Sequence, residues 1–121
     1  MRGKEASRYT QTMASAEELY ELGVDLFAEG KHAEAIAAYR EALEIDPTFA
    51  DALHGLAMAA AESGDLETAI ATARRVTEVT PDDPLGYTSL SMFLQRAGRI
   101  EDAEAAAAQA RVREWKAELK R

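Results

Sequence analysis

A chain of 121 residues with a formal net charge of −8 has the size of one ordinary, acidic domain. Hydrophobic residues make up 47% of it and aromatic residues only 7%, and much of the apolar content is alanine, which favours closely packed helices over strands. Because the chain has no cysteine, disulfides, thiolate metal sites and a cysteine nucleophile are excluded.

The first segment, residues 1–14, is polar and carries three basic residues against one acidic residue. It lacks the apolar core of a signal peptide, and no run in the chain approaches the roughly 20 apolar residues of a membrane span. We therefore expect a disordered N-terminal tail, no membrane partner and a cytoplasmic location. Residues 111–121 are also basic, so the negative charge is concentrated in the middle, which argues against nucleic-acid binding.

The first predicted helix begins after Ser15, because Ser15 and Glu18 have the spacing of a capping box. Gly30 ends this helix, since glycine accepts the left-handed backbone of a helix terminus. Apolar residues follow helical spacing between these two signals, at Leu19, Leu22 and Leu26.

A second helix is predicted from about Ala33 to Ile45, where Asp46-Pro47 stops it. The two helices form a hairpin. Gly23 and Ala35 are expected to face each other across it, because small side chains allow two backbones to approach closely.

The hairpin pattern returns with an offset of 34 residues, which gives three copies. Later helix starts are marked by Thr48 with Asp51, by Asp65 and by Asp83-Pro84. One domain over residues 15–121 is predicted, with repeats at about 16–49, 50–83 and 84–115. Residues that share a register position include Leu22, Leu56 and Leu90; Gly30, Gly64 and Gly98; and Ala35, Ala69 and Ala103.

The last helix is predicted to overshoot its repeat and to run from about Ile100 to Leu119, since no helix breaker follows Gly98. Val112, Trp115 and Leu119 then form one apolar stripe. Two interpretations remain open. The extension caps the end of the array, or Trp115 packs against a second copy or a partner.

These residues resemble the tetratricopeptide repeat family, whose pattern is aromatic or Leu, Leu-Gly, aromatic, Ala, aromatic, Ala and Pro. The first copy matches it with Leu19, Leu22-Gly23, Leu26, Ala35, Tyr39, Ala42 and Pro47. The second copy has Leu53, Leu56-Ala57, Ala60, Ala69, Ala73, Val76 and Pro81. The third has Tyr87, Leu90-Ser91, Leu94, Ala103, Ala107 and Ala110, with Trp115 in place of the proline.

The resemblance implies an all-α fold, a right-handed superhelical solenoid of three helix-turn-helix hairpins with an extended C-terminal helix. It also implies an adaptor or scaffold that binds a peptide or helix of a partner protein in its concave groove. An alternative is a structural module that forms homo-oligomers through the C-terminal helix or through stacking of repeats.

The positions expected to line the concave groove come from the first helix of each copy: Glu17, Tyr20, Val24, Phe27, Asp51, His54, Met58, Glu62, Leu85, Thr88, Met92, Gln95 and Arg96. Val24, Met58 and Met92 form an apolar row, which suits contact with an apolar peptide or helix. Ordinary packing is the alternative role of the two methionines.

Some family members grip the C-terminal carboxylate of chaperones with lysine, asparagine and arginine. The corresponding positions here hold no cation and no amide, so the resemblance does not extend to that activity. Those positions are Tyr20, Val24, Gly55, Leu85 and Ser89.

No catalytic, cofactor or metal site is predicted. His32 and His54 are the two histidines, and a lone histidine on a helix is usually a packing or groove contact. The acidic pairs Asp82-Asp83 and Glu101-Asp102 lie at predicted helix starts, where negative charge complements the helix dipole. The sequence therefore predicts a binding protein and not an enzyme.

Overall fold

A computed structural model describes residues 14–121. The predicted N-terminal tail lies outside this range, except for Ala14. Within it the chain forms six α-helices: α1 Ala16–Ala28, α2 His32–Ile45, α3 Ala50–Glu62, α4 Leu66–Val79, α5 Pro84–Arg96 and α6 Ile100–Leu119. Successive helices pack against each other, so that α1–α2, α3–α4 and α5–α6 form three stacked hairpins. The predicted all-helical solenoid is confirmed.

Most helix boundaries follow from local sequence signals. The capping box is present, with the Ser15 amide donating to Glu18 Oε1 at 2.8 Å and the Glu18 amide donating to Ser15 Oγ at 3.1 Å. Asp83 caps α5 and Pro84 occupies its first turn. The three turn glycines have positive φ angles of 80°, 88° and 81°, as their register predicts for Gly30, Gly64 and Gly98.

One predicted helix start is wrong. Thr48 does not cap α3 together with Asp51, because the N-cap residue is Phe49 and makes no side-chain hydrogen bond. The Thr48 hydroxyl instead donates to Asp46 Oδ1 at 3.2 Å. The loop between α2 and α3 is thus closed by its own residues.

The outer face of α1 differs from its counterparts in the later hairpins. Leu22 is 46% exposed, whereas Leu56 and Leu90 are 7% and 4% exposed. The difference arises because no hairpin packs over this side of α1 within the described range. This face of α1 carries carboxylates where α3 has small residues: Glu18, Glu21 and Asp25 against Ala52, Gly55 and Ala59.

The close approach within the first hairpin involves a different pair from the one predicted. A Cβ on Gly23 would lie 2.5 Å from Cε1 of Tyr39, and the nearest atoms all belong to this ring and not to Ala35. Glycine at position 23 therefore makes room for an aromatic ring that is itself 3% exposed. His32 lies at the hairpin turn, with its ring centroid 5.2 Å from that of Phe27.

The predicted C-terminal extension is present, since α6 runs for 20 residues without a break. Arg113 holds it against the preceding repeat. Its Nε donates to the carbonyl of Pro81 at 2.6 Å, and its guanidinium carbon lies 4.1 Å from the centroid of the Tyr87 ring. These contacts fix which face of α6 points away from the domain.

Candidate functional site

The 13 predicted groove residues all lie on α1, α3 and α5, the first helices of the hairpins. None of them is fully buried. The exposed ones are Glu17, Val24, Asp51, Glu62, Leu85, Thr88, Met92, Gln95 and Arg96, and the half-buried ones are Tyr20, Phe27, His54 and Met58. A partner molecule can therefore reach part of every predicted position.

Four of these residues surround one pocket of about 110 Å³: Tyr20, Asp51, His54 and Leu85. Residues that sequence reasoning missed complete the lining: Ala50, Gly55, Val76, Thr80 and Asp83. The omission has a simple cause, since Val76, Thr80 and Asp83 lie on the second helix of a hairpin and on the following loop. Their approach to the first helices depends on how the hairpins stack.

His54 joins two hairpins at this pocket. Its Nε2 forms a hydrogen bond of 2.8 Å with Oγ of Ser89, which is buried on α5. Burial lowers the pKa of His54 below its ordinary value, against the opposing effect of the carboxylates of Asp51 and Asp83. At neutral pH the imidazole of His54 is therefore uncharged.

Tyr20 forms a wall of the same pocket. Its ring centroid lies 5.3 Å from that of Phe49 and 6.0 Å from that of Tyr39. Burial, and to a smaller extent the carboxylate of Asp51, raises the pKa of Tyr20. The ring is thus positioned by packing, and its hydroxyl is a neutral hydrogen-bonding group.

The apolar row divides between the two roles considered for it. Val24 and Met92 are 41% and 40% exposed. Met58 packs against the core cluster that contains Phe93 and Leu94. Val24 and Met92 are therefore the members most accessible to a ligand, while Met58 contributes to the core as well.

Two predicted groove residues interact with each other at the far end of the row. One nitrogen of the Arg96 guanidinium lies 3.9 Å from Oε2 of Glu62, and another donates to the carbonyl of Ala61 at 3.3 Å. Such an exposed pair contributes little stability. It connects the C-terminal ends of α3 and α5 and leaves Arg96 partly engaged.

The predicted self-association stripe is exposed on the extension of α6. Trp115 and Leu119 are 63% and 66% exposed, and Val112 also faces solvent. No residue between 14 and 121 covers this stripe.

Between residues 14 and 121 no helix is long and apolar enough to cross a membrane. The same range contains no group of three or more His, Asp or Glu side chains arranged to hold a metal ion.

Comparisons with known proteins support the fold. The crystal structure of MamA superposes with a TM-score of 0.82 at 25% identity, over 84% of this chain and 60% of MamA. The TPR domain of Sgt2 from Aspergillus fumigatus gives 0.78 at 25% identity, over 82% of this chain and 66% of that one. The second TPR of Spaghetti (RPAP3), bound to an HSP90 peptide, gives 0.77 at 18% identity, over 87% and 97%.

No curated protein sequence matches the chain. A family model described as tetratricopeptide repeat matches residues 26–93, which is more than half of the chain. The match and the stacked hairpins show the same thing: the chain belongs to the tetratricopeptide repeat family of protein-interaction modules.

Proposed function

We propose that the concave face formed by α1, α3 and α5 binds a peptide or helix of a partner protein, so that the chain acts as an adaptor. The observation that carries the proposal is the exposure of Val24, Leu85 and Met92, each at least 40%, on helices whose other large apolar residues are buried or half-buried, apart from Leu22 on the outer face of α1. Apolar side chains at i, i+3 and i+4 of a partner helix fit such a surface.

The chemistry of the partner follows from the charges around this surface. Glu17 and Asp51 are exposed carboxylates on α1 and α3, whereas Glu62 and Arg96 pair with each other, so the surface keeps a negative charge. The partner is therefore an apolar segment with basic residues at its edges, because complementary charges speed encounter and select the partner. An acidic C-terminal tail fits poorly.

The second TPR of Spaghetti (RPAP3) supports the binding of a peptide by this architecture, since that domain was solved with a peptide bound. Its 18% identity supports a shared fold only, and the HSP90 peptide is not proposed as a ligand here. The pocket beside His54 and Tyr20 would take one side chain of the bound segment.

A displayed library of random peptides tests the groove. Peptides selected on the wild-type protein should be apolar with basic flanks. Their binding, measured by fluorescence polarisation, should weaken at least about tenfold in Met92→Glu and Val24→Glu, since each variant places a charge against apolar contacts. Met58 is a poor test position because it also packs in the core.

Leu22→Glu is the matched control, because Leu22 is as exposed as Val24 but lies on the outer face of α1. Circular dichroism checks that each variant keeps its helices. Equal loss of binding in all three variants would show that the peptides bind elsewhere.

A second candidate function is self-association through the extension of α6. It is favoured by the exposure of Trp115 and Leu119 on a helix that Arg113 holds in a fixed orientation. A concentration series of solution mass separates it from the groove, because a protein that acts only through its groove remains a monomer.

A further inference from the structure

The two junctions between hairpins are filled by aromatic rings from opposite sides. At the first junction the ring comes from the earlier hairpin, as Tyr39 of α2, and the later hairpin contributes Ala59. At the second junction α4 presents Ala73 in the register of Tyr39, and the later hairpin contributes the fully buried ring of Phe93 in the register of Ala59. At this pair of register positions, each junction thus has one aromatic ring and one alanine.

The face of the third hairpin that would meet a following hairpin resembles the second junction, where the second helix of the hairpin carries an alanine and not a ring. It has Ala107 where Tyr39 and Ala73 stand, so α6 supplies no ring of its own. A cleft of about 210 Å³ lies there, lined by Ser91, Gln95, Ile100, Ala103, Glu104 and Ala107. By analogy with Phe93, this cleft fits an aromatic side chain that comes from another helix.

We propose that the occupant is Trp115 of a second copy, in a symmetric dimer whose two α6 helices cross antiparallel. The proposal deepens the second candidate function and rests on it. A symmetric dimer requires a self-complementary surface, in which each contact occurs twice. The sequence of α6 meets this requirement.

The register follows from the spacing along α6. Ala107 and Ala108 lie at its centre, where small side chains allow two helices to approach closely. Ile100 precedes Ala107 by seven residues and Trp115 follows Ala108 by seven, so an antiparallel crossing at the alanines places Trp115 of each copy opposite Ile100 of the other. Ile100 is half exposed and borders the cleft.

Charges agree with the same register. Glu104 lies three residues before Ala107 and Arg111 three residues after Ala108, so Glu104 of one copy faces Arg111 of the other at two symmetric places. Both side chains are exposed, and neither forms an ion pair or hydrogen bond within residues 14–121. They are available to a second molecule.

The orientation of α6 allows this contact. Arg113 faces the domain, where it bonds Pro81 and covers Tyr87. At 100° per residue, Glu104, Arg111 and Trp115 lie on the opposite side of the helix from Arg113. The proposed interface therefore lies on the face of α6 that is turned away from Pro81 and Tyr87, and Gln95, which lines the cleft, is the predicted groove residue that it reaches.

Sedimentation equilibrium across a concentration series tests the proposal, together with the fluorescence of Trp115, the single tryptophan of the chain. The wild-type mass should rise to that of a dimer while the emission shifts to shorter wavelength, because the indole leaves water. Trp115→Ala should weaken association by about 30-fold, as expected for a buried aromatic anchor.

Charge reversal tests the register itself. Glu104→Arg and Arg111→Glu should each weaken the dimer at least about tenfold, because like charges then meet twice, and the double variant should restore it. Glu21→Arg, an exposed reversal on the outer face of α1, is the matched control and should leave the mass unchanged.

The failures are distinguishable. A wild-type dimer that is indifferent to both single reversals would overturn the register but keep self-association. If the wild-type protein stays a monomer at concentrations up to about 1 mM and the emission of its tryptophan does not shift, both the register and self-association are overturned. Either result leaves the groove proposal to its own test with Met92→Glu.

Discussion

Gly55 of α3 lies against the ring of Tyr39 of α2, and a Cβ on Gly55 would come within 2.6 Å of Tyr39 Cζ. Gly23 of α1 contacts the same ring from the first helix of its own hairpin. The tyrosine is thus enclosed between the backbones of two helices that belong to different hairpins. Aromatic rings contribute a large buried area, so this contact is a principal link between the first two hairpins.

The first prediction concerns this link. Gly55→Ala should lower the free energy of unfolding by about 1–3 kcal/mol, because the added methyl group overpacks the ring. In a Tyr39→Leu background the same change should be neutral or stabilising by up to about 1 kcal/mol, since alanine favours a helix more than glycine does. Urea denaturation of the four proteins gives the coupling energy. The same sign in both backgrounds would contradict the prediction.

The second prediction concerns the start of the second helix in each hairpin. Asp65 Oδ1 accepts the Thr68 amide at 3.1 Å and Oδ2 accepts the Thr68 hydroxyl at 2.7 Å, and these bonds lower the pKa of Asp65. Asp65→Ala should lower the free energy of unfolding by about 1 kcal/mol, because this N-cap is lost.

Lys31 occupies the equivalent position in the first hairpin and makes no side-chain cap. Lys31→Ser should raise the free energy of unfolding by about 0.5–1 kcal/mol, because Glu34 lies three residues later and completes a capping box with the new serine. The lost Lys31–Glu29 pair is exposed and contributes little. The midpoint temperature of thermal unfolding should fall in Asp65→Ala and rise in Lys31→Ser. A shift in the same direction in both variants would contradict the capping argument.

The third prediction concerns pH. Because burial lowers the pKa of His54 below 6.5, the unfolded chain binds a proton more readily than the folded chain. The free energy of unfolding should therefore fall as pH decreases from 6.5 through the lowered pKa, and the contribution of His54 should be constant above 6.5.

His54→Gln removes this titration and keeps a side chain that can hydrogen-bond with Ser89. Urea denaturation between about pH 7 and pH 5 should show a smaller loss of stability in the variant than in the wild type. Identical losses would mean that the half-buried imidazole of His54 does not resist protonation.

The fourth prediction concerns the extension of α6. Arg113→Ala removes the hydrogen bond to Pro81 and the contact with the Tyr87 ring, so the last two turns should lose protection from hydrogen exchange. The free energy of local opening at this end of α6 should fall by about 1–3 kcal/mol, as expected for the loss of a charged hydrogen bond and a cation–π contact. Lys116→Ala is the control, because Lys116 is exposed and near the same end. Equal effects of the two changes would show that Arg113 does not anchor the helix.

The sequence by itself determined the number of hairpins, the positions of their turns and most helix starts. Gly30, Gly64 and Gly98 could be assigned from the sequence because a left-handed turn depends on the residue that occupies it. The capping residues Ser15 and Asp83 were predictable for the same reason, since each bonds an amide two or three residues away. Repetition at 34 residues then reduced the fold to one unit that stacks on copies of itself.

Only the tertiary structure decided what fills the space between hairpins. The sequence paired Gly23 with Ala35, but the ring of Tyr39 occupies that space, and the next junction uses Phe93 from the other side. The sequence also did not indicate that His54 forms a hydrogen bond with Ser89, which lies 35 residues further along the chain. These contacts depend on how each hairpin rotates against the next, and that rotation is set by the volumes of side chains on both hairpins together, which no local pattern contains.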